Sequence, residues 1–130
     1  MLQSLRQFKA EIFQALGHPT RVAIVEYLRD GEVSVGSLCE KLGIEQSNAS
    51  QHLAVLRSKQ IVETRKDGNQ MFYRLHNPVV GEVLELMRRY FFDHLNEAMQ
   101  VLKQEQREAT KVKPRKSAKR ATSRQSSRTF

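Results

Sequence analysis

Apolar residues recur at intervals of three and four through the first half of the chain, a spacing typical of amphipathic helices. We predict four helices there. The first covers about residues 5–16 and ends at Gly17, and the second starts at Pro19, where a proline costs no needed N–H. The third covers about 35–42 and the fourth about 46–59, so two short helices follow each other closely.

Beyond the fourth helix the period changes from helical spacing to alternation. Residues 61–66 and 70–75 read as two strands, and Asp67-Gly68-Asn69 between them is a hairpin-turn signal. Asn77-Pro78 then opens a long last helix that reaches about residue 107. In the second strand Met71, Tyr73 and Leu75 take one face, and Phe72 and Arg74 take the other.

This order of elements predicts a mainly α fold with a small β-hairpin, the winged helix-turn-helix. We assign residues 1–109 to this domain. The last helix has more apolar surface than one small domain can cover, so we expect a twofold homodimer formed through the first and last helices. The residues expected at the dimer interface are Leu5, Phe8, Ile12, Val83, Met87, Phe91 and Leu95.

The net charge of +8 is distributed unevenly. Residues 110–130 hold eight basic residues and no acid, which leaves residues 1–109 formally neutral. The same segment has almost nothing apolar to bury, so we predict a disordered basic tail that contacts phosphates of double-stranded DNA. The tail residues expected at phosphates are Lys111, Lys113, Arg115, Lys116, Lys119 and Arg120.

Composition also excludes several classes of protein. No apolar run approaches the roughly 18 residues that a membrane helix needs, and the first ten residues are too polar for a secretory signal. The single cysteine, Cys39, excludes an internal disulfide framework and a four-cysteine zinc site. We therefore expect a cytoplasmic protein associated with the nucleoid and not with a membrane.

The fourth helix carries the pattern expected of a DNA-reading helix. At 100° per residue, Ala49, Leu53 and Leu56 share the core side. The opposite face near the helix start is polar and uncharged, whereas an ordinary solvated face would carry Glu and Lys. Gln and Asn side chains can bond adenine bidentately, and Ser can donate or accept. The candidate DNA-binding residues of this helix are Gln46, Ser47, Asn48, Ser50, Gln51, His52 and Arg57.

Two parts of this prediction have open alternatives. His52 lies near the core boundary, so it either bonds a phosphate or serves as a partly buried structural histidine. Arg65, Lys66 and Gln70 flank the hairpin tip, where a basic ribbon suits backbone or minor-groove contact. The alternative is that any exposed hairpin tip is polar and charged.

Four stretches in order resemble the ArsR/SmtB family of bacterial repressors: residues 13–21, 34–38, 46–57 and 66–75. The similarity covers nearly all of residues 5–105. It implies a homodimeric winged helix that binds inverted-repeat operators and usually represses transcription until an effector lowers its affinity.

Many members of that family sense metal ions, but the ligand positions are incomplete here. The run that holds a Cys-x-Cys pair in thiolate-site members is Glu32-Val33-Ser34-Val35-Gly36, without sulfur. His94 and Glu97 match half of the other site, whose first half falls on Gly81 and Val83. We expect no metal and no cofactor.

Cys39 has no second cysteine to pair with, and we expect a core cysteine rather than a reactive thiol. His18 is predicted to be a helix-start or packing residue. The sequence thus names no effector.

The alternatives to a regulator are an enzyme and an architectural DNA-binding protein. The chain shows no glycine-rich phosphate loop, nucleophile elbow or His-Glu-x-x-His motif, so we do not expect an enzyme. An architectural, nucleoid-like protein remains the alternative because the tail resembles those of histone-like proteins. The uncharged face of the fourth helix favours a sequence-specific regulator, since nonspecific binding needs only cations.

Overall fold

The structure, a computed structural model, describes residues 2–128, with side chains described for residues 2–111. Two compact units divide the chain, residues 1–87 and residues 88–130. Five helices and three strands follow in order: α1 (Leu2–Ala15), α2 (Pro19–Leu28), β1 (Val33–Ser34), α3 (Val35–Leu42), α4 (Gln46–Ser58), β2 (Val62–Asp67), β3 (Gln70–Leu75) and α5 (Val79–Arg128). The predicted winged helix-turn-helix order is confirmed.

Aliphatic side chains from α2, α3 and α4 meet in the core of the first unit. Ile24 and Leu38 are fully buried, and Leu53 and Leu56 from α4 are buried beside them. Complete burial of a Leu or Ile side chain contributes about 1.5–3 kcal/mol of hydrophobic stabilisation. The core therefore holds α4 with one face inward and its other face in solvent.

Local signals explain where the helices begin and end. The ring of His18 caps α2, because its Nδ1 accepts the Thr20 N–H at 3.1 Å, and Pro19 occupies the first helical position. Gly43 ends α3 at φ 65°, ψ 36°, a left-handed conformation that glycine adopts without a Cβ penalty. The turn between α3 and α4 is thus set by one glycine.

The sheet has three antiparallel strands in the order β1-β3-β2. The sequence predicted only the hairpin of β2 and β3, in which Asp67 pairs with Gln70. Strand β1 was not predicted because two residues are too short to show an alternating pattern. Its pairing of Val33 with Tyr73 joins the start of α3 to the hairpin.

The second unit is the continuation of α5. Its large apolar side chains are exposed within the single chain, and Phe91 and Phe92 contact each other edge to face at 5.3 Å between ring centroids. The exposed apolar residues of this unit are Tyr90, Phe91, Phe92, Leu95, Met99, Val101 and Leu102. An exposed apolar surface of this extent is typical of a site that binds another protein or another copy of the chain.

The predicted end of the last helix near residue 107 was too early, because α5 continues to Arg128. Eight of the residues in 110–130 are Lys or Arg, which favour a helix locally, whereas Pro114 and the Ser and Thr residues of the segment do not. An isolated helix of this kind remains marginal without packing. Side chains beyond Lys111 lie outside the described part, so disorder of the isolated tail stays a prediction.

No helix in the described range 2–128 combines the length and the apolar character needed to span a bilayer.

Candidate nucleic-acid interface

The polar face predicted for α4 is exposed in the structure. We call Gln46, Ser47, Asn48, Ser50 and Gln51 the recognition face; all five are exposed. On the opposite side of the same helix Ala49, Leu53 and Leu56 are buried, as the helical spacing predicted. No charged residue occurs between positions 46 and 52. The recognition face can therefore approach base edges through hydrogen-bonding groups alone.

Helix α4 is held by the two helices that precede it. Both α2 and α3 pack against α4, and Leu38 of α3 and Ile24 of α2 are fully buried in the shared core. Arg57 is exposed in the last turn of α4 and makes no ion pair with any described residue. Its cation is therefore available to a phosphate.

His52 lies half-buried at the edge of α4, in contact with the start of α2. Its ring centroid is 4.3 Å from that of His18, and its Nδ1 is 3.4 Å from Nη1 of Arg21. Burial lowers the pKa of His52, and the charges of His18 and Arg21 lower it further. The structure thus shows contacts that suit a structural role for His52, and a phosphate contact stays a prediction.

The wing consists of β2, β3 and the Gly68-Asn69 turn between them. Its predicted contact residues, Arg65, Lys66 and Gln70, are all exposed. Lys66 and Gln70 make no hydrogen bond through their side chains with the described residues, so both are free to reach DNA.

Arg65 is engaged within the chain. Its Nη2 donates to Oε1 of Glu32 at 2.7 Å and its Nε donates to the same carboxylate, while Nη1 lies 3.5 Å from Asp67. The guanidinium also lies over the Phe72 ring at 4.9 Å. These hydrogen bonds lower the pKa of Glu32. To bind a phosphate, Arg65 must exchange its carboxylate partner.

A groove beside the recognition face includes Tyr73, for which the sequence predicted only the face of its strand. The groove has a volume of about 400 Å³ and runs between α4 and β3. Its lining residues are Ser50, Leu53, Ala54, Arg57, Ser58 and Tyr73. Tyr73 was missed because alternation along β3 shows only which face it takes, and its neighbours on α4 are set by packing.

The positions that correspond to metal ligands in some family members lack a set of metal-binding side chains in the described residues. Within the residues that the structure describes, no cluster of three or more His, Cys, Asp or Glu side chains could hold a metal ion. At Gly81 an added Cβ would lie 2.7 Å from side-chain atoms of Arg29, so Arg29 takes the space of a side chain there. Cys39, expected in the core, is partly exposed and packs against the core's edge, because Leu38 takes the fully buried position.

The predicted dimer residues are mostly exposed in the single chain. Phe8 of α1 is 60% exposed and Phe91 of α5 is 57% exposed. Leu5, Met87 and Leu95 are also exposed, and Ile12 and Val83 are half-buried. Of the predicted tail contacts, Lys111 is exposed; Lys113, Arg115, Lys116, Lys119 and Arg120 lie beyond the described side chains.

A helix-turn-helix with an exposed recognition helix and an adjoining β-hairpin defines a winged-helix DNA-binding protein. A family profile described as bacterial regulatory protein, arsR family, matches residues 18–64. Rv0081 of Mycobacterium tuberculosis, described as an uncharacterized HTH-type transcriptional regulator, is 40% identical over 101 residues, which make up 77% of this chain and 89% of that protein. The chain therefore belongs to the ArsR family and is a transcriptional regulator with a DNA-binding helix-turn-helix, not an enzyme.

Solved structures of similar proteins share the fold. The crystal structure of Rv0081 has a TM-score of 0.67 and covers 73% of this chain and 96% of that one. The repressor BigR from Xylella fastidiosa is 37% identical with a TM-score of 0.64, covering 69% and 92%. A Mycobacterium bovis fragment, Mb0332, described as a homodimeric winged helix-turn-helix DNA-binding domain, is 27% identical with a TM-score of 0.66, covering 73% and 88%.

Proposed function

We propose that this protein is a homodimeric repressor that reads an inverted-repeat DNA operator with α4 and leaves it in response to a signal. The observation that carries the proposal is the recognition face itself. Five short or amide side chains without charge are exposed in the first turns of α4, and the buried residues of the same helix fix their direction. Side chains of this kind contribute base discrimination, whereas cations contribute affinity without sequence information.

Dimerisation is supported by the apolar side chains that the single chain leaves exposed on α1 and α5. Leu5 and Phe8 are exposed on α1, and Phe91 and Leu95 on α5. Exposed apolar surface of this extent is costly in water, and a twofold partner would cover it with the same residues. The homodimeric Mb0332 domain shares this fold. Two copies of α4 related by a twofold axis would read two half-sites one DNA turn apart.

Repression is supported by BigR, a repressor with the same fold and 37% identity. Arg57 and Lys66 supply phosphate contacts in this proposal, and the tail residues from Lys111 onward add further ones. We place the protein in the cytoplasm, on the nucleoid, since its proposed ligand is chromosomal DNA.

Selection of DNA by the purified full-length protein tests the proposal. Duplexes with a random central region would be bound, recovered and sequenced, and the enriched site would then be placed upstream of a reporter gene. We expect a palindromic consensus and lower expression in the presence of the protein. Uniform recovery of all sequences would support an architectural role instead, and higher expression would identify an activator.

Substitution of the recognition face gives a sharper test. Gln51→Ala and Ser47→Ala should each weaken binding to the selected duplex by about 1–3 kcal/mol, because each removes hydrogen bonds to base edges. Binding to random DNA should stay nearly constant. Fluorescence anisotropy titrations measure both. Gln14→Ala, at an exposed position on α1, is the matched control and should change neither affinity. Equal losses on both DNAs would contradict the assignment of base contacts.

A further inference from the structure

Three side chains join the recognition helix to the start of α2. The guanidinium of Arg21 donates through Nε to the carbonyl oxygen of Ala15 at 2.6 Å, which anchors it at the end of α1. Its Nη1 lies 3.4 Å from Nδ1 of His52 on α4. The ring of His52 lies against the ring of His18, with centroids 4.3 Å apart and planes tilted by 40°. One arginine and two imidazoles thus connect α1, α2 and α4.

Both histidines use Nδ1 as a hydrogen-bond acceptor. Nδ1 of His18 accepts the backbone N–H of Thr20, which caps α2. Nδ1 of His52 faces a guanidinium, which has only donors. A ring nitrogen that accepts carries no proton, so these contacts require both rings to be neutral, with the proton on Nε2. Protonation of either ring would replace an attraction by a contact between two donors.

The charges around this cluster all oppose protonation. Burial lowers the pKa of His52; a positive charge on His18 would lower it further, and the charge of Arg21 adds to this effect. Among the described residues, neither Glu40 and Lys41 on α3 nor the charged residues of β2 form a hydrogen bond or an ion pair with His52. In the described part of the chain, no carboxylate forms a hydrogen bond or an ion pair with His18, Arg21 or His52. A second positive charge here would therefore have no acidic neighbour to offset it.

We propose that His18, Arg21 and His52 form a positioning cluster that holds α4 in the orientation for operator binding only while both rings are neutral. Operator affinity therefore falls as the pH drops below neutrality. The inference rests on the proposed function of α4 as the DNA-reading helix. None of the three needs to touch a base. They act through the placement of Ser47 and Gln51 on the same helix.

The direction of this pH dependence is opposite to that of simple electrostatics. The pKa of His52 in the folded chain lies below its ordinary value of 6.5. The conformation with the cluster's contacts therefore binds a proton on His52 less well than a conformation without them. The conformation with these contacts therefore loses stability as the pH falls through 6.5. For binding to a polyanion in general, added positive charge on histidines strengthens the association. A fall in affinity at low pH would therefore point to this cluster.

The experiment compares two DNA duplexes across pH with the full-length protein. The probes are the tightest-bound duplex selected from a random library at pH 7.5 and a random duplex of the same length. Affinity is measured by fluorescence anisotropy at constant ionic strength. For the selected duplex we expect a several-fold loss between pH 7.5 and pH 5.5, because the pKa of His52 is lowered in the folded chain and protonation therefore opposes the contacts of the cluster. For the random duplex we expect no loss.

Two substitutions keep the hydrogen bonds and remove the imidazole rings. In His52→Gln the amide oxygen can still accept from Arg21, and in His18→Asn the side chain can still cap α2. The double variant should bind the selected duplex with little dependence on pH. His94→Gln, at an exposed histidine of α5, is the matched control and should follow the wild-type curve.

Several results would overturn the inference. Wild-type affinity for the selected duplex that stays constant or rises toward pH 5.5 would do so, as would a double variant that declines as steeply as the wild type. An NMR titration of wild-type His52 with a midpoint at or above 6.5 would also contradict it, whatever the variants do. Absence of any preference for the selected duplex at pH 7.5 would instead refute the proposed function. The NMR midpoint would then still test whether the cluster keeps His52 neutral.

Discussion

Arg65 shows that exposure of a basic residue does not make it available to DNA. Sequence position at the wing tip predicted a phosphate contact, yet the guanidinium is held by both oxygens of Glu32 and by Phe72. An exposed ion pair contributes little stability in water. A phosphate group can therefore replace the carboxylate, so in the proposed wing contact Glu32 would compete only weakly with DNA for Arg65.

Removing the carboxylate should release that competition. Glu32→Gln leaves Arg65 without an anionic partner at that position, so we expect a few-fold tighter binding to operator and random DNA alike. The slope of log affinity against log salt should steepen by about 0.9 if one phosphate contact is gained. Anisotropy titrations between low and moderate salt measure both quantities.

Glu26→Gln is the charge-matched control, since Glu26 is exposed on α2 and has no ion pair among the described residues. If both variants change the affinity and the slope equally, the effect is one of net charge alone. The wing contact of Arg65 would then be rejected.

Helix α5 is the element in which local pattern and tertiary environment differ most. Its apolar residues would be read as core from spacing alone, yet Phe91, Leu95 and Leu102 are exposed in the single chain. Spacing identifies a face that seeks apolar contact, but not whether the contact comes from the same chain or from another copy. The proposed dimer supplies the missing contact.

A charge placed within this surface should separate the copies. Phe91→Asp would bury a carboxylate without a partner in the proposed interface, a costly change, so we expect a monomer by sedimentation velocity at concentrations where the wild type is a dimer. Gln100→Asp introduces the same charge at an exposed polar position of α5 and should leave the dimer intact. A Phe91→Asp dimer of undiminished stability would show that Phe91 lies outside the interface.

At the scale of the whole molecule, the proposed function assigns affinity and specificity to different parts of the chain. The excess of positive charge lies in residues 110–130, whereas the recognition face is uncharged and belongs to a formally neutral body. Cations release counterions from any DNA sequence, and hydrogen-bonding groups discriminate between sequences. The +8 net charge therefore says little about which sites are bound.

Truncation after residue 109 tests this division. Loss of the tail should weaken binding to operator and random DNA by a similar factor, and should flatten the salt dependence by about 0.9 for each phosphate contact that is lost. The preference for operator over random DNA should remain. An unchanged salt slope would show that the tail does not touch DNA, and a lost preference would place specificity contacts in the tail.

The order of elements and the inward face of α4 were predictable because they depend on local spacing. Helical periodicity located α3 at its observed bounds and α4 within one residue, and the predicted buried positions Ala49, Leu53 and Leu56 are buried. The turn glycine Gly43 was recognisable because few other residues adopt its left-handed conformation without strain. The sequence missed strand β1, which is too short to carry a pattern, and it placed the end of the last helix too early.

The sequence by itself determined the class of the protein, the polar face of the helix proposed to read DNA and the separation of the net charge from that face, since each depends on neighbours along the chain. Tertiary structure alone decided which polar side chains bind other side chains of the protein. Glu32 and Arg65 are 33 positions apart, and Arg21 and His52 are 31 apart, so no local pattern predicts that they meet. Packing of α2 and β1 against α4 and β3 brings these pairs together, and with them the competition at the wing and the proposed pH dependence of α4.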